Sequence, residues 1–182
     1  MSSSIKSSEQ NHNDNEEIIT KLDMELINAI SNTLYLVLEQ NQKLPDYKDI
    51  IKQQEKLPFS ASAIPNITIN NYLMRIQNYS GIDKTTLILA LIYIDRICEI
   101  AEITITYYNI HRLLFAAILI AIKYNEDIYF ENTYYSQIAG ISVKELKKIE
   151  YCFLDLINFN LYVYETQYMK YKNYLNQYFV SQ

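Results

Sequence analysis

Apolar residues recur at helical spacing along most of the chain and predict a series of amphipathic helices. From Lys21 to Gln40 a leucine or isoleucine stands at every fourth position, which is the period of one helix face. A second helix is predicted over Thr68 to Ser80. Asp83 is a suitable N-cap for a third, which reaches about Ile100 and is apolar almost all round, so we expect it to be central.

The remaining helices are delimited by start and stop residues. They are predicted from Thr106 or Asn109 to Lys123, from Thr133 to Ala139, from Ser142 to about Phe159, and from Glu165 to Phe179. Ser142 and Glu145 have the spacing of a capping box. Gly81 and Gly140, the only two glycines, stand where left-handed residues end helices. The pattern therefore predicts an all-α bundle.

Two segments lack this periodicity. Residues 1–17 are rich in Ser, Asn and Glu, and we predict a disordered tail there because such a composition cannot offset the entropy cost of ordering. The stretch from Asn41 to Asn66 holds all three prolines. We predict an irregular connection over it.

Composition narrows the class of protein. The 182 residues are 49% hydrophobic, enough for the core of one domain, and the net charge of −5 argues against a nucleic-acid binder. The longest apolar run, Leu113 to Ile122, is far shorter than the ~20 residues that span a bilayer. Without a secretory signal, we expect an intracellular protein, with Cys98 and Cys152 as buried, reduced thiols.

No motif for catalysis or for cofactor binding is present. The chain has no glycine-rich phosphate loop and no nucleophile elbow. Glu126, Asp127 and Glu131 lack the spacing of a calcium loop, and His111 has no second histidine nearby with which to bind a metal. The sequence thus predicts neither an enzyme nor a metal or cofactor site.

Two charged residues occupy positions suited to a core. Lys123 closes an apolar helix, and Glu150 interrupts the apolar stripe of the next long helix, with Leu146, Phe153 and Leu154 one turn away. Such charges are costly unless they are paired or presented to a partner. Either Lys123 and Glu150 pair inside the domain, or both reach a rim where a partner binds; the residues alone leave both options open.

A third buried charge calls for an internal partner. Asp95 lies in the helix that is apolar almost all round, and a buried carboxylate needs a hydrogen-bond donor. Arg75, on the preceding helix, is the natural candidate. We therefore predict that Arg75 and Asp95 form an internal brace between two helices.

Several motifs, in the right order, resemble those of the cyclins. Leu91-Ile92-Tyr93-Ile94-Asp95-Arg96-Ile97 resembles the Tyr-Ile-Asp-Arg signature of the cyclin box, and residues 111–114 and 121–127 resemble its central helix with a lysine and an acidic loop. Residues 132–142 are similar to the P-type (U-type) cyclins, which include the fungal phosphate-pathway cyclin. The resemblance covers about residues 66–162.

The resemblance implies a single five-helix cyclin-box bundle with flanking N- and C-terminal helices. The expected divisions are the tail (1–17), the N-terminal helix and proline-containing connection (18–66), the cyclin box (67–162) and the C-terminal helix (163–182). It also implies a regulatory subunit that binds and activates a cyclin-dependent protein kinase, in cell-cycle or nutrient/phosphate signalling. The expected location is the cytoplasm, the nucleus or both.

The resemblance further implies roles for individual residues. In cyclins, the residues that match Lys123 and Glu150 bind the kinase beside its αC helix. We expect Tyr124, Ile128 and the helix Lys21–Gln40 to lie in the same interface. The residues that match Arg75 and Asp95 support the box from within.

One departure and one alternative qualify this expectation. Met74-Arg75-Ile76-Gln77-Asn78 keeps only the first two residues of the Met-Arg-Ala-Ile-Leu patch with which mitotic cyclins dock substrates, so we do not expect that function. The alternative is a cyclin-fold scaffold or transcription-associated protein that does not activate a kinase. General initiation factors of this fold carry two repeats and a basic face, and the chain has neither.

Overall fold

The computed structural model describes residues 24–180, with the side chains of 178–180 excepted, and every regular element in that range is an α-helix. The helices are α1 (residues 24–42), α2 (Tyr47–Gln54), α3 (Ile69–Ser80), α4 (Lys84–Ile100), α5 (Ile110–Asn125), α6 (Asn132–Ala139), α7 (Val143–Leu156) and α8 (Glu165–Val180). The predicted tail and the first residues of the helix Lys21–Gln40 lie outside the described range. The all-α prediction is confirmed.

Helix α5 lies at the centre of the core. Of its 16 residues, 12 are buried, so it has no solvent-facing stripe before its last turn. It packs against α4 and α7, and α6 lies against its C-terminal end. Helix α4 is also largely buried, but its C-terminal half turns Asp95 and Glu99 outward. No helix among residues 24–180 is long and apolar enough to cross a bilayer.

The helix starts follow the capping residues of the sequence. The Thr68 hydroxyl accepts from the backbone N–H three residues on at 3.1 Å, and the Asp83 carboxylate accepts from the N–H two residues on at 2.7 Å. Ser142 and Glu145 form both bonds of the predicted capping box. These bonds satisfy backbone donors that have no partner within the helix.

Gly81 and Gly140 end α3 and α6 in the left-handed conformation, at φ of 59° and 72°.

The start of α5 differs from the capping pattern. Asn109 occupies the N-cap position, but its side chain accepts from the N–H of Thr106 at 2.8 Å and does not cap the helix. Asn109 therefore orders the approach to α5.

Two predictions about the connections are wrong in part. The stretch from Asn41 to Asn66 is not wholly irregular, because it contains α2 and buries Phe59 edge-on against Phe153, with ring centroids 6.1 Å apart. Helix α7 ends at Leu156, before the predicted end near Phe159. Phe159 and the residue before it have positive φ, which a continuing helix cannot adopt.

Candidate partner-binding site

Lys123, Asn132 and Glu150 form a closed triad of hydrogen bonds. The Lys123 ammonium donates to Glu150 Oε1 at 2.6 Å and to Asn132 Oδ1 at 2.7 Å. The Asn132 amide in turn donates from Nδ2 to Glu150 Oε2 at 3.1 Å. Each side chain bonds both of the others, so the three form one polar unit on the face of an apolar core.

Three helices bring the triad together. Lys123 is in the last turn of α5, directly after the fully buried Ile122, and Asn132 is the first residue of α6. Glu150 lies on α7 between Ile149 and Phe153, both buried. Because the apolar neighbours anchor the helices, the polar heads meet where α5 and α6 reach the surface of α7.

The triad stands at the rim of the core. The side chains of Lys123 and Glu150 are 26% and 15% exposed. The sequence left internal pairing and a rim position as alternatives, and the structure combines them: the charges pair with each other, and both side chains remain partly exposed. A pair held this way is only partly desolvated, so its charges remain available to a partner.

Asn132 is the member of the triad that sequence reasoning missed. It belongs to the segment that resembles P-type cyclins, but a neutral residue at a helix start carries no charge that calls for a partner. The available signal was its position at the start of α6. Neither Asn132 nor Glu131, the N-cap residue, makes a side-chain bond that caps the helix. An amide that does not cap its own helix is free to bond across to another element.

Exposed apolar side chains continue from the triad along the chain. Ile128 is 89% exposed, the largest fraction among the large hydrophobic residues that the structure describes, and Tyr124 is 52% exposed. Tyr129 and Phe130 in the same α5–α6 loop are also half exposed, as is Tyr151 beside Glu150. Apolar groups gathered beside a half-buried polar unit are typical of a surface that binds another protein.

A second polar cluster joins α4 to the C-terminal segment. Tyr93, itself fully buried, donates its hydroxyl proton to the carbonyl of Leu161 at 2.9 Å. Arg96 donates to the carbonyls of Asn160 and Tyr162. The polar residues of the Tyr-Ile-Asp-Arg signature therefore attach the segment that leads into α8.

The predicted brace between Arg75 and Asp95 is not formed. Arg75 donates instead to the carbonyl of Gln137 at 2.9 Å, which ties α3 to α6. Asp95 accepts from the Tyr171 hydroxyl at 2.5 Å, which ties α4 to α8. The prediction was wrong because it took Asp95 for a core residue, whereas Asp95 lies on the outward side of α4, within reach of Tyr171 on α8.

The surroundings of Asp95 raise the pKa of its carboxyl group. Desolvation raises the pKa of Asp95, the Tyr171 hydrogen bond opposes that shift only in part, and the nearby Glu99 carboxylate adds to it. Burial likewise raises the pKa of Tyr93 to about 12 and that of Cys98 to about 12. Cys98 and Cys152 are both free, but each is only half-buried where the sequence predicted buried thiols. Burial still raises the pKa of each thiol.

Comparison with known proteins gives a consistent set of relatives. A family model described as Cyclin matches residues 3–161. Cyclin-U4-1 of Arabidopsis thaliana is 31% identical over 166 residues, which cover 90% of this chain and 79% of that protein. PHO85 cyclin-7 of Saccharomyces cerevisiae is 27% identical over an alignment that covers 98% of this chain and 73% of the relative.

Other relatives match over a shorter region. Cyclin-U2-2 of Arabidopsis thaliana is 39% identical over 106 residues, which cover 58% of this chain. The match spans about half of that relative, 46% of its length.

Proposed function

The chain belongs to the cyclin family, and we propose that it binds and activates a cyclin-dependent protein kinase. Members of this family are regulatory subunits, not enzymes in their own right. The relatives include cyclins named for PHO85, which supports a kinase of that class as the partner. The observation that carries the proposal is the triad of Lys123, Asn132 and Glu150, together with the exposed Ile128 in the loop that the triad closes.

The triad retains hydrogen-bonding capacity for a partner. An ammonium group has three N–H donors, and Lys123 uses one for Glu150 and one for Asn132, which leaves the third. Each oxygen of the Glu150 carboxylate accepts one bond and has a further lone pair. The triad therefore offers a donor and an acceptor side by side, which matches the carbonyl and N–H groups of a kinase backbone segment.

The apolar residues beside the triad supply the rest of the contact. Burying a side chain the size of Ile128 is worth roughly 1.5–3 kcal/mol, and Tyr124 adds an aromatic surface with a polar tip. Such side chains also exclude water from the neighbouring polar bonds, which strengthens them. The expected interface thus has a charged centre bordered by Tyr124 and Ile128.

Docking at this surface accounts for activation without any catalytic residue on the chain. A kinase is active when the glutamate of its αC helix pairs with the lysine that binds the phosphates. A protein that binds only the inward position of αC shifts the equilibrium toward the active state by its preference for that position. In the proposed complex, Lys123 and Glu150 bind beside αC and supply that preference.

The test is capture and activation of purified kinases, with PHO85 in the panel. We expect the unmodified chain to bind and activate at least one kinase, and Lys123→Ala and Glu150→Ala each to weaken binding about a hundredfold, since truncating a paired interfacial charge costs at least about 2–5 kcal/mol. Lys148→Ala, an exposed lysine of α7, is the matched control and should bind normally. Folded Lys123→Ala and Glu150→Ala variants that bind and activate as well as the unmodified chain would refute the anchoring role of these two residues, and an unmodified chain that binds no kinase of the panel would refute the proposed function.

A further inference from the structure

We propose that Asn132 is a positioning residue for kinase binding, because it fixes the two charged anchors in the arrangement that the partner recognises. The inference rests on the proposed function and extends it to a residue with no charge of its own. Asn132 is partly buried, and both groups of its side-chain amide bond to the two anchors. Its effect on binding therefore passes through Lys123 and Glu150.

The amide of Asn132 is suited to this task because it both accepts and donates. Its Oδ1 accepts from the Lys123 ammonium at 2.7 Å, and its Nδ2 donates to Glu150 Oε2 at 3.1 Å. The two charges determine which way the amide points, since the reverse orientation would place N–H groups against an ammonium and oxygen against a carboxylate. Each anchor thus has two fixed bonds instead of one.

A single salt bridge would not hold the anchors as firmly. Lysine has four side-chain torsions and glutamate three, and a pair joined by one bond can slide along the rim while remaining paired. With Asn132 in place, Lys123 and Glu150 are fixed before the partner arrives. Less side-chain freedom is then lost on binding, which increases affinity.

Asn132 also orders the loop that carries the apolar half of the surface. The bond from Lys123 to Asn132 joins the end of α5 to the start of α6 and so closes the base of the loop between them. Within the loop, Phe130 donates its N–H to the Tyr135 hydroxyl at 3.3 Å and packs on Tyr134, with ring centroids 4.4 Å apart. Because Ile128 lies within this closed loop, Asn132 links the charged and apolar parts of the site.

The experiment is a double-mutant cycle on kinase affinity. Asn132→Ala should weaken binding roughly tenfold in the unmodified chain but clearly less when Glu150→Ala is already present, because one of the two anchors that it positions is then gone. Asn78→Ala, an exposed asparagine of α3, is the matched control and should have no effect. Hydrogen exchange of the amides in the loop between α5 and α6 should also become faster in Asn132→Ala.

A second variant, Asn132→Asp, keeps the test valid if Asn132→Ala does not fold. Asn132→Asp has nearly the same shape, keeps an acceptor for Lys123 and places a carboxylate against Glu150, so it should also weaken binding roughly tenfold. Normal binding by folded Asn132→Ala and Asn132→Asp variants, or the same loss with and without Glu150→Ala, would refute the positioning role while leaving the proposed function intact. If the unmodified chain binds no kinase at all, the proposed function fails and this inference fails with it.

Discussion

The rim around Lys123 and the junction around Arg96 are both polar clusters on the same apolar core, but their bonds go to different kinds of group. At the rim, Lys123, Asn132 and Glu150 bond one another through side chains alone. At the junction, Tyr93 and Arg96 donate mainly to main-chain carbonyls of the segment that follows α7, and one longer bond of 3.5 Å joins Arg96 to the Gln167 side chain. The first cluster keeps its bonds among side chains. In the second cluster, side chains of α4 bond to the main chain of the segment that leads into α8.

The difference separates binding from architecture. Side chains that bond only each other leave donors and acceptors at the surface, and exposed apolar residues such as Ile128 lie beside them. Bonds to carbonyls attach a connecting segment to the core, so losing them destabilises the fold. Variants at the two clusters should therefore separate into losses of kinase affinity and losses of stability.

The largest expected change in stability comes from Arg96→Ala. This change removes a charged donor from the carbonyls of Asn160 and Tyr162, and we expect the free energy of unfolding to fall by about 2 kcal/mol. Urea denaturation followed by circular dichroism measures it. Kinase affinity at temperatures where the variant is folded should stay within about twofold of the unmodified chain. An unchanged denaturation midpoint would contradict the architectural role of the junction.

The opposite behaviour is expected of Ile128→Ser. Because Ile128 is 89% exposed, the free energy of unfolding should change by less than about 0.5 kcal/mol. Kinase affinity should fall roughly tenfold, since the apolar contact of one isoleucine is lost. Ile100→Ser, an exposed isoleucine at the end of α4, is the matched control. Equal affinities for all three proteins would place the interface elsewhere.

Much of the fold could be predicted because its signals are local. The capping residues Thr68, Asp83 and Ser142 and the helix-ending Gly81 and Gly140 all act within one turn of their own position. Helix α2 was missed because its stability comes from its surroundings, which its own eight residues do not reveal. Burial of Phe59 against α7 is a long-range contact of the same kind.

In the candidate site, too, the local signals could be read from the sequence and the long-range contacts could not. Lys123 and Glu150 were identifiable because a charge on an apolar stripe is conspicuous at the level of sequence. Whether they pair depends on how α5, α6 and α7 pack, since that packing brings Glu150 and Asn132 within reach of Lys123. The partner of Asp95 could not be predicted, because it depends on how α8 packs against α4 and brings Tyr171 into reach. The predicted roles of Tyr124 and Ile128 in kinase binding stay predictions.

The most direct test of the central claim exchanges the two anchors, as Lys123→Glu combined with Glu150→Lys. The exchanged residues can still pair, and Asn132 can rotate its amide to donate to position 123 and accept from position 150, so the free energy of unfolding should stay within about 1 kcal/mol. A kinase that recognises the donor and the acceptor at defined places would meet each in the other's position. We predict that affinity, measured by titrating the kinase into the exchanged variant, falls at least about a hundredfold. Unchanged affinity in a stably folded exchanged variant would mean that Lys123 and Glu150 serve only the fold.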